Sequence, residues 1–377
     1  MVRRKAAAPP VLPGYSYIRP LGSGGFADVY LFEQDMPRRV VAVKVLVDDA
    51  INPEVIRTFN AEADIMARLS AHASIVTIFQ ASISADGRPY FVMEYCPDTM
   101  SARYKKAPLP VADVLDTGVR MAAALETAHR SGLLHRDIKP SNILISSLAT
   151  PVLADFGVAT ALNPLEDVDE VFAMSVPWSS PEVLEQRTTG TVASEVWSLG
   201  ATLYTLLAGR SPFEDADREK NRRDVLTARV VKAKYTPTGR PDVTPKIEQV
   251  LALAMSKDPA ARQESMHALG EELRWAQYEL GIPPTALEVA ATEWAAAAAP
   301  VDFAASAPRG PVISTVNKES RRALRAAQAY TERRADDDGV LPSRQAAPWK
   351  AALIGALVGA GVLAVLGVVA LYALGVL

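Results

Sequence analysis

Residues 15 to about 105 alternate short β-branched apolar runs with polar turns. The runs are VVAVKVLV (Val40–Val47), SIVTIFQASI (Ser74–Ile83) and YFVMEYC (Tyr90–Cys96). Runs of this length and composition predict strands, and the one helical stretch among them is Pro53–Ser70. The pattern therefore predicts a small, mainly antiparallel sheet with a single helix. From about 110 to 280 the period changes. VADVLDTGVRMAAALETAHRSG repeats apolar residues at helical spacing and ends at Gly132, which fits a helix C-cap. VWSLGATLYTLLAG, Val196–Gly209, is apolar nearly all round and predicts a buried central helix. The fold class is α+β, with a small mainly β N-lobe and a larger α-helical C-lobe over residues 15–280.

The two ends read differently. In residues 1–14, Pro9, Pro10 and Pro13 interrupt any apolar core a signal peptide would need, so a disordered lead-in is expected. Residues 281–350 turn Pro- and Ala-rich and predict a linker, most of it disordered. Within it Glu319–Arg334 can form a short basic helix, either on a membrane surface or as a solvated spacer. Residues 351–377 contain no charge, and about 20 apolar residues span a bilayer, so a C-terminal transmembrane helix is expected. Arg333, Arg334, Arg344 and Lys350 precede it, which places the N-terminal side in the cytoplasm at the cell membrane. Because the chain stops at Leu377, a tail anchor with no external sensor is the expectation. Gly355 and Gly359 form a GxxxG spacing compatible with a homodimer.

Composition narrows the chemistry. The chain has 377 residues, 49% of them apolar, and a formal net charge of -3, which argues against a nucleic-acid partner. Cys96 is the only cysteine, so no internal disulfide forms, and the four histidines show no metal-ligand spacing.

The segment HRDIKPSN, His135–Asn142, followed by DFG at 155–157, places an acid, a cation, an amide and a second acid at spacings that suit phosphoryl transfer. Asp137 can accept a hydrogen bond from a substrate hydroxyl, and Lys139 can neutralise charge on the moving phosphoryl group. Asn142 and Asp155 can hold Mg²⁺ against ATP phosphates. Upstream, LGSGGFADVY lies between two predicted strands, so Leu21, Gly22, Ser23, Gly24 and Gly25 fit a hairpin folded over phosphates. Val29 and Ala42 then cover the adenine face. Lys44, inside the apolar VAVKVLV run, needs a partner, and Glu62 on the following helix is the best candidate, with Asp64 as the alternative.

This ordered set resembles the eukaryotic-type (Hanks-type) Ser/Thr protein kinases, most closely the bacterial membrane-attached branch, over residues 15–280. The resemblance implies a two-lobed protein kinase fold using ATP and Mg²⁺ on protein Ser/Thr substrates. It makes Met93 the gatekeeper, places Glu94 and Cys96 in the hinge that reads the adenine edge, and adds Leu144 to the nucleotide contacts. Met66 and Phe156 become core contacts that align the glutamate helix and the metal-binding acid. SPE at 180–182 stands for the family's APE, and its Glu182 would pair with Arg262. Glu195 stands where the family usually has Asp, one methylene longer, at the position that anchors the catalytic loop. Lys139 and Ser175 match the Ser/Thr-specific pattern.

The activation segment departs from that pattern. It lacks the usual threonine pair and carries Glu166, Asp167, Asp169 and Glu170, a solvated run or an anionic partner for Arg136. Two other functions compete with a protein kinase. A small-molecule phosphotransferase would not need the SPE segment, Arg262 or the VWSLG helix. A pseudokinase scaffold would have lost Lys44, Asp137, Asn142 or Asp155, and all four are present.

Overall fold

A computed structural model describes residues 7–24, 27–47, 53–156 and 175–290 of the chain. The linker beyond 290, the apolar span 351–377 and most of the activation segment lie outside the described residues, as do Gly25 and the side chain of Glu62. Among the described residues no helix is long and apolar enough to cross a membrane.

The first lobe is a five-stranded antiparallel sheet in the order β1-β2-β3-β5-β4. Its strands are β1 (Tyr15–Ser23), β2 (Ala27–Gln34), β3 (Arg39–Leu46), β4 (Ile78–Ile83) and β5 (Pro89–Glu94). Alternation along the strands divides the apolar side chains between two faces. Tyr30, Phe32, Val41, Val43, Val45, Tyr90 and Val92 form one cluster, while Leu46, Phe59 and Phe91 pack toward the helix α1 (Pro53–Leu69). The strand expected over Ser74–Ile83 is shorter, because residues 74–76 bond to Leu153 in the other lobe instead.

The lead-in differs from expectation. Residues 7–14 pack on the outer face of the sheet, where Leu12 is buried with Tyr30 and Tyr90. Ala7 N–H donates to Asp28 at 3.0 Å, the Tyr30 hydroxyl donates to the Ala7 carbonyl at 2.9 Å, and Arg88 donates to the Ala8 carbonyl at 3.1 Å. Apolar area buried by Leu12 and paired backbone groups together offset the ordering entropy that three prolines already reduce.

The second lobe is helical: α2 (Met100–Tyr104), α3 (Val111–Arg130), α4 (Pro181–Leu184), α5 (Val192–Ala208), α6 (Arg223–Lys232), α7 (Pro245–Ala254) and α8 (Met266–Glu279). The expected central helix is α5, whose Val196, Trp197, Leu199, Tyr204 and Leu206 are fully buried. A Thr191–Ser194 capping box starts it, and Gly209 at φ 72° ends it. Gly118 of α3 lets Leu203 and Leu273 approach, since a Cβ there would sit 2.8 Å from Leu273. A small sheet of β6 (Asp98–Thr99), β7 (Ile143–Ile145) and β8 (Pro151–Leu153) lies at the lobe boundary and carries the chain into the site.

The expected linker also begins later than residue 281. Gly281 turns the chain at φ 69°, and residues 282–290 run back over α3 in an extended, alternating path. Leu287 packs against the core of the second lobe.

Candidate active site

The loop between α3 and β7 is held rigidly from below. Arg136 adopts φ 65°, a left-handed conformation that a non-glycine residue keeps only when its surroundings impose it. The imposing groups are visible. The Arg136 N–H donates to Glu195 Oε1 at 2.6 Å, and His129 Nε2, facing a carboxylate that can only accept, donates to Glu195 Oε2 at 2.6 Å. The longer Glu195 therefore reaches the catalytic loop and uses its second oxygen on α3. His135 bonds across to the Ala154 carbonyl at 2.9 Å and stacks on Phe156 with ring centroids 4.6 Å apart.

On this base sit the reactive groups. Asp137 Oδ1 accepts from the Ser175 hydroxyl at 2.6 Å, and Oδ2 accepts from Asn142 Nδ2 at 2.9 Å and pairs with Lys139 Nζ at 2.6 Å. A carboxylate has about four acceptor positions. Three are taken, which leaves one for an incoming hydroxyl. Lys139 Nζ also donates to Ser175 Oγ at 3.1 Å, so acid, ammonium and hydroxyl form one closed set. Ser175 was visible in the sequence as a mark of Ser/Thr specificity and as one of the few hydroxyls of the activation segment; its direct bond to Asp137 was not.

The Ala154 N–H donates to the Asn142 carbonyl at 2.9 Å, and this backbone bond sets Asn142 beside the residue preceding Asp155. With Asn142 Nδ2 committed to Asp137, its Oδ1, which accepts a long bond from the Ser141 hydroxyl at 3.3 Å, keeps a lone pair that could serve a metal. Together with the Asp155 carboxylate this is a hard oxygen donor set that fits Mg²⁺. Asp155 is held at φ 61°, and its Oδ1 accepts from Lys44 Nζ at 2.7 Å. The Lys44 ammonium keeps the Asp155 carboxyl below the ordinary carboxylate range, against the partial loss of water that its place deep in the cleft brings to a side chain still 45% exposed. Lys44 is thus brought to Asp155, and its expected partner Glu62 lies on α1 with its side chain outside the described residues.

The residues expected to contact nucleotide lie on the strands and loops around the same cleft. Register pairs Val29 with Lys44 and Ala42 with Met93, while Gly24 N–H closes the hairpin on the Ala27 carbonyl at 2.9 Å. Met93, Cys96 and Leu144 pack together against Val76, Val152 and Ala154. Leu21, Gly22 and Ser23 lie at the end of β1 leading into the hairpin. Behind Met93 a small cavity is lined by Lys44, Met66, Val76, Phe91, Asp155 and Phe156, which places Met66 and Phe156 as expected. Burial pushes the Cys96 thiol up to about 12, which suits an inert hinge residue.

One further ion pair lies inside the larger lobe. Arg262 pairs bidentately with Glu182 at 2.7 and 2.9 Å, and both side chains are sealed from solvent.

The family described as "Protein kinase domain" matches residues 15–273. The chain belongs to the protein kinase family. Among curated relatives, Serine/threonine-protein kinase PknK of Mycobacterium tuberculosis is 38% identical over 274 residues, covering 71% of this chain and 24% of that protein. Serine/threonine-protein kinase PrkC of Bacillus subtilis is 34% identical over 267 residues, 70% of this chain and 40% of its own length. The chain therefore spans about a quarter of the first of these relatives and less than half of the second. The crystal structure of the Mycobacterium tuberculosis PknI kinase domain superposes with a TM-score of 0.54 at 27% identity, covering 71% of this chain and 98% of that one.

Proposed function

We propose that this chain is a membrane-anchored Ser/Thr protein kinase that transfers the ATP γ-phosphate to protein hydroxyls, its own included. The carrying observation is the closed set Asp137–Ser175–Lys139 beside Asn142 and Asp155. Asp137 orients the substrate hydroxyl through its remaining acceptor position and takes up the proton as the oxygen attacks. Lys139 stands within reach of the transferred group and offsets its negative charge. Lys44 orients the nucleotide phosphates and Asp155 together. Bound Mg²⁺ would supply the remaining charge neutralisation, held by Asn142 and Asp155. Such a site acts by position and electrostatics, since phosphoryl transfer asks for little covalent chemistry from the protein.

Purified full-length chain in detergent, given Mg²⁺ and ATP, should label itself or a generic protein on Ser and Thr. Absence of transfer with nucleotide binding intact would favour a pseudokinase scaffold. Activation without a phosphorylated threonine pair follows from the acidic activation segment, so phosphatase treatment should leave substantial activity.

The membrane anchor and cytoplasmic kinase domain rest on the uncharged stretch 351–377 and the basic residues before it. In sealed membrane vesicles a protease added to the cytoplasmic side should digest the kinase domain. A wholly soluble full-length chain would defeat the anchor. The spacing of Gly355 and Gly359 supports a dimer that phosphorylates in trans, and Gly359→Leu should then weaken cross-linking between chains.

A further inference from the structure

We propose that residues 282–290 form a positioning strap for the kinase reaction, which seats the Glu288 carbonyl on His72 and thereby fixes the turn between α1 and the strand that leads to Asp155. The proposal rests on the kinase reading above and adds to it residues that the cleft itself does not contain.

The strap is built in rather than draped. Thr285 N–H donates to Gln277 Oε1 at 2.9 Å, Gln277 Nε2 donates back to Thr285 Oγ1 at 2.8 Å, and Thr285 Oγ1 donates to Asp116 Oδ1 at 2.9 Å. Gln277 is fully buried in doing so. Leu287 enters a seat that exists because residue 270 is glycine, since a Cβ there would stand 2.7 Å from Leu287 Cδ1. Ala290 N–H donates to Thr127 Oγ1 at 3.2 Å. Thr285, Leu287 and Val289 alternate inward while their neighbours face solvent, the period of an extended segment lying on a surface.

Between these anchors the strap meets His72. His72 Nε2 donates to the Glu288 carbonyl at 2.6 Å, and Nδ1 accepts from the Ser74 N–H at 3.0 Å. Both ring nitrogens are thus used by the neutral imidazole, which its burial also favours. The turn that His72 governs touches both sides of the cleft. Its N–H bonds to the carbonyl of Leu69, the last residue of α1. Two residues on, the Ser74 carbonyl accepts from Leu153 N–H, and Val76 N–H donates to the Leu153 carbonyl, both at 2.9 Å. Leu153 is two residues before Asp155. The strap therefore braces a junction that ties the end of α1 to the strand running into Asp155.

The test uses the full chain. Thr285→Val with Leu287→Ser releases the strap, and His72→Asn keeps an acceptor for Ser74 while being too short to reach Glu288. Each should raise KM for ATP about fivefold, the cost of about one hydrogen bond, with KM for a peptide substrate unchanged. Hydrogen exchange should rise over residues 53–76 as well as over the strap. Combining the two variants should add little, because both break one path. Exchange confined to residues 282–290 with ATP parameters unchanged, or effects that simply add, would overturn the proposal. Should the double substitution fail to fold, Gly270→Ala displaces Leu287 from within the lobe and leaves the strap sequence intact. If wild type transfers no phosphate, exchange and the affinity for a non-hydrolysable ATP analogue still decide the strap by themselves.

Discussion

Two ion pairs in this protein have the same 2.7 Å contact and opposite characters. Arg262–Glu182 lies inside the larger lobe with side-chain exposures of 0% and 4%, whereas Lys44–Asp155 crosses the cleft with exposures of 15% and 45%. The sealed pair is satisfied on every side: Arg262 also donates to the carbonyls of Ser256 and Ala193 and lies 5.1 Å over the Trp197 ring. Removing either partner would strand a charge. Among the described residues the open pair shows a single hydrogen bond, and it lines the cleft beside Met66 and Phe156. One arrangement uses its charges to tie elements of the larger lobe together, and the other leaves them accessible.

The comparison breaks most visibly at Asp155. Asp155→Ala should lower kcat/KM by more than about a thousandfold, about 4 kcal/mol of transition-state stabilisation, through loss of the metal ligand. Thermal unfolding should shift by no more than a few degrees, because the pair is open to solvent. Near-normal turnover in this variant would place the metal-binding acid elsewhere.

Arg262→Ala should do the reverse. Leaving Glu182 buried and unpaired should cost about 3–5 kcal/mol in urea unfolding. The pH dependence carries the same signature. Burial pushes the Glu182 carboxyl upward, but the hydrogen bonds from Arg262, a backbone N–H and the Arg262 charge act together against it and leave it below its ordinary value of 4.5. A depressed native value means the pair's contribution is complete above about pH 4.5 and is lost as the pH falls below it. The stability gap between wild type and Arg262→Ala should therefore shrink as the pH is lowered toward about 3.5. A gap independent of pH would mean that packing, not charge, carries the pair.

The smallest effect sharpens the catalytic side. Ser175→Ala removes the hydroxyl shared by Asp137 and Lys139 and should reduce kcat by about tenfold, about 1.4 kcal/mol, while Ser175→Thr should retain most of it. Equal losses in both variants would point to shape rather than to the hydroxyl.

Much of this was legible in the chain because the chemistry sits in short contiguous motifs. HRDIKPSN and VAVK carry their residue types at fixed spacing, and the strand and helix periods around them place them correctly. What was not legible depends on contacts across long separations. The packing of residues 7–14 depends on Asp28 and Arg88, and a proline-rich stretch carries no period that announces such partners. Residues 282–290 look like linker by composition, and it is the seat at Gly270 and the bonds to Gln277, Asp116, Thr127 and His72 that order them. Residues 74–76 read as strand because Ile75 and Val76 are β-branched and apolar, yet they are buried against Leu153 rather than paired within the first sheet. Glu195 could not be judged by residue type, since the reach of its extra methylene depends on where His129 stands.

The anchoring of Ala8 by Arg88 has a consequence in time. The two residues are 80 positions apart, so at about 5–20 residues per second the first waits roughly 4–16 seconds on the ribosome for the second to be made. Leu12 waits as long for Tyr90, its neighbour in the finished sheet. For that interval the outer face of the nascent strands has no cover, and whatever shields it in the meantime must let go when residue 90 emerges.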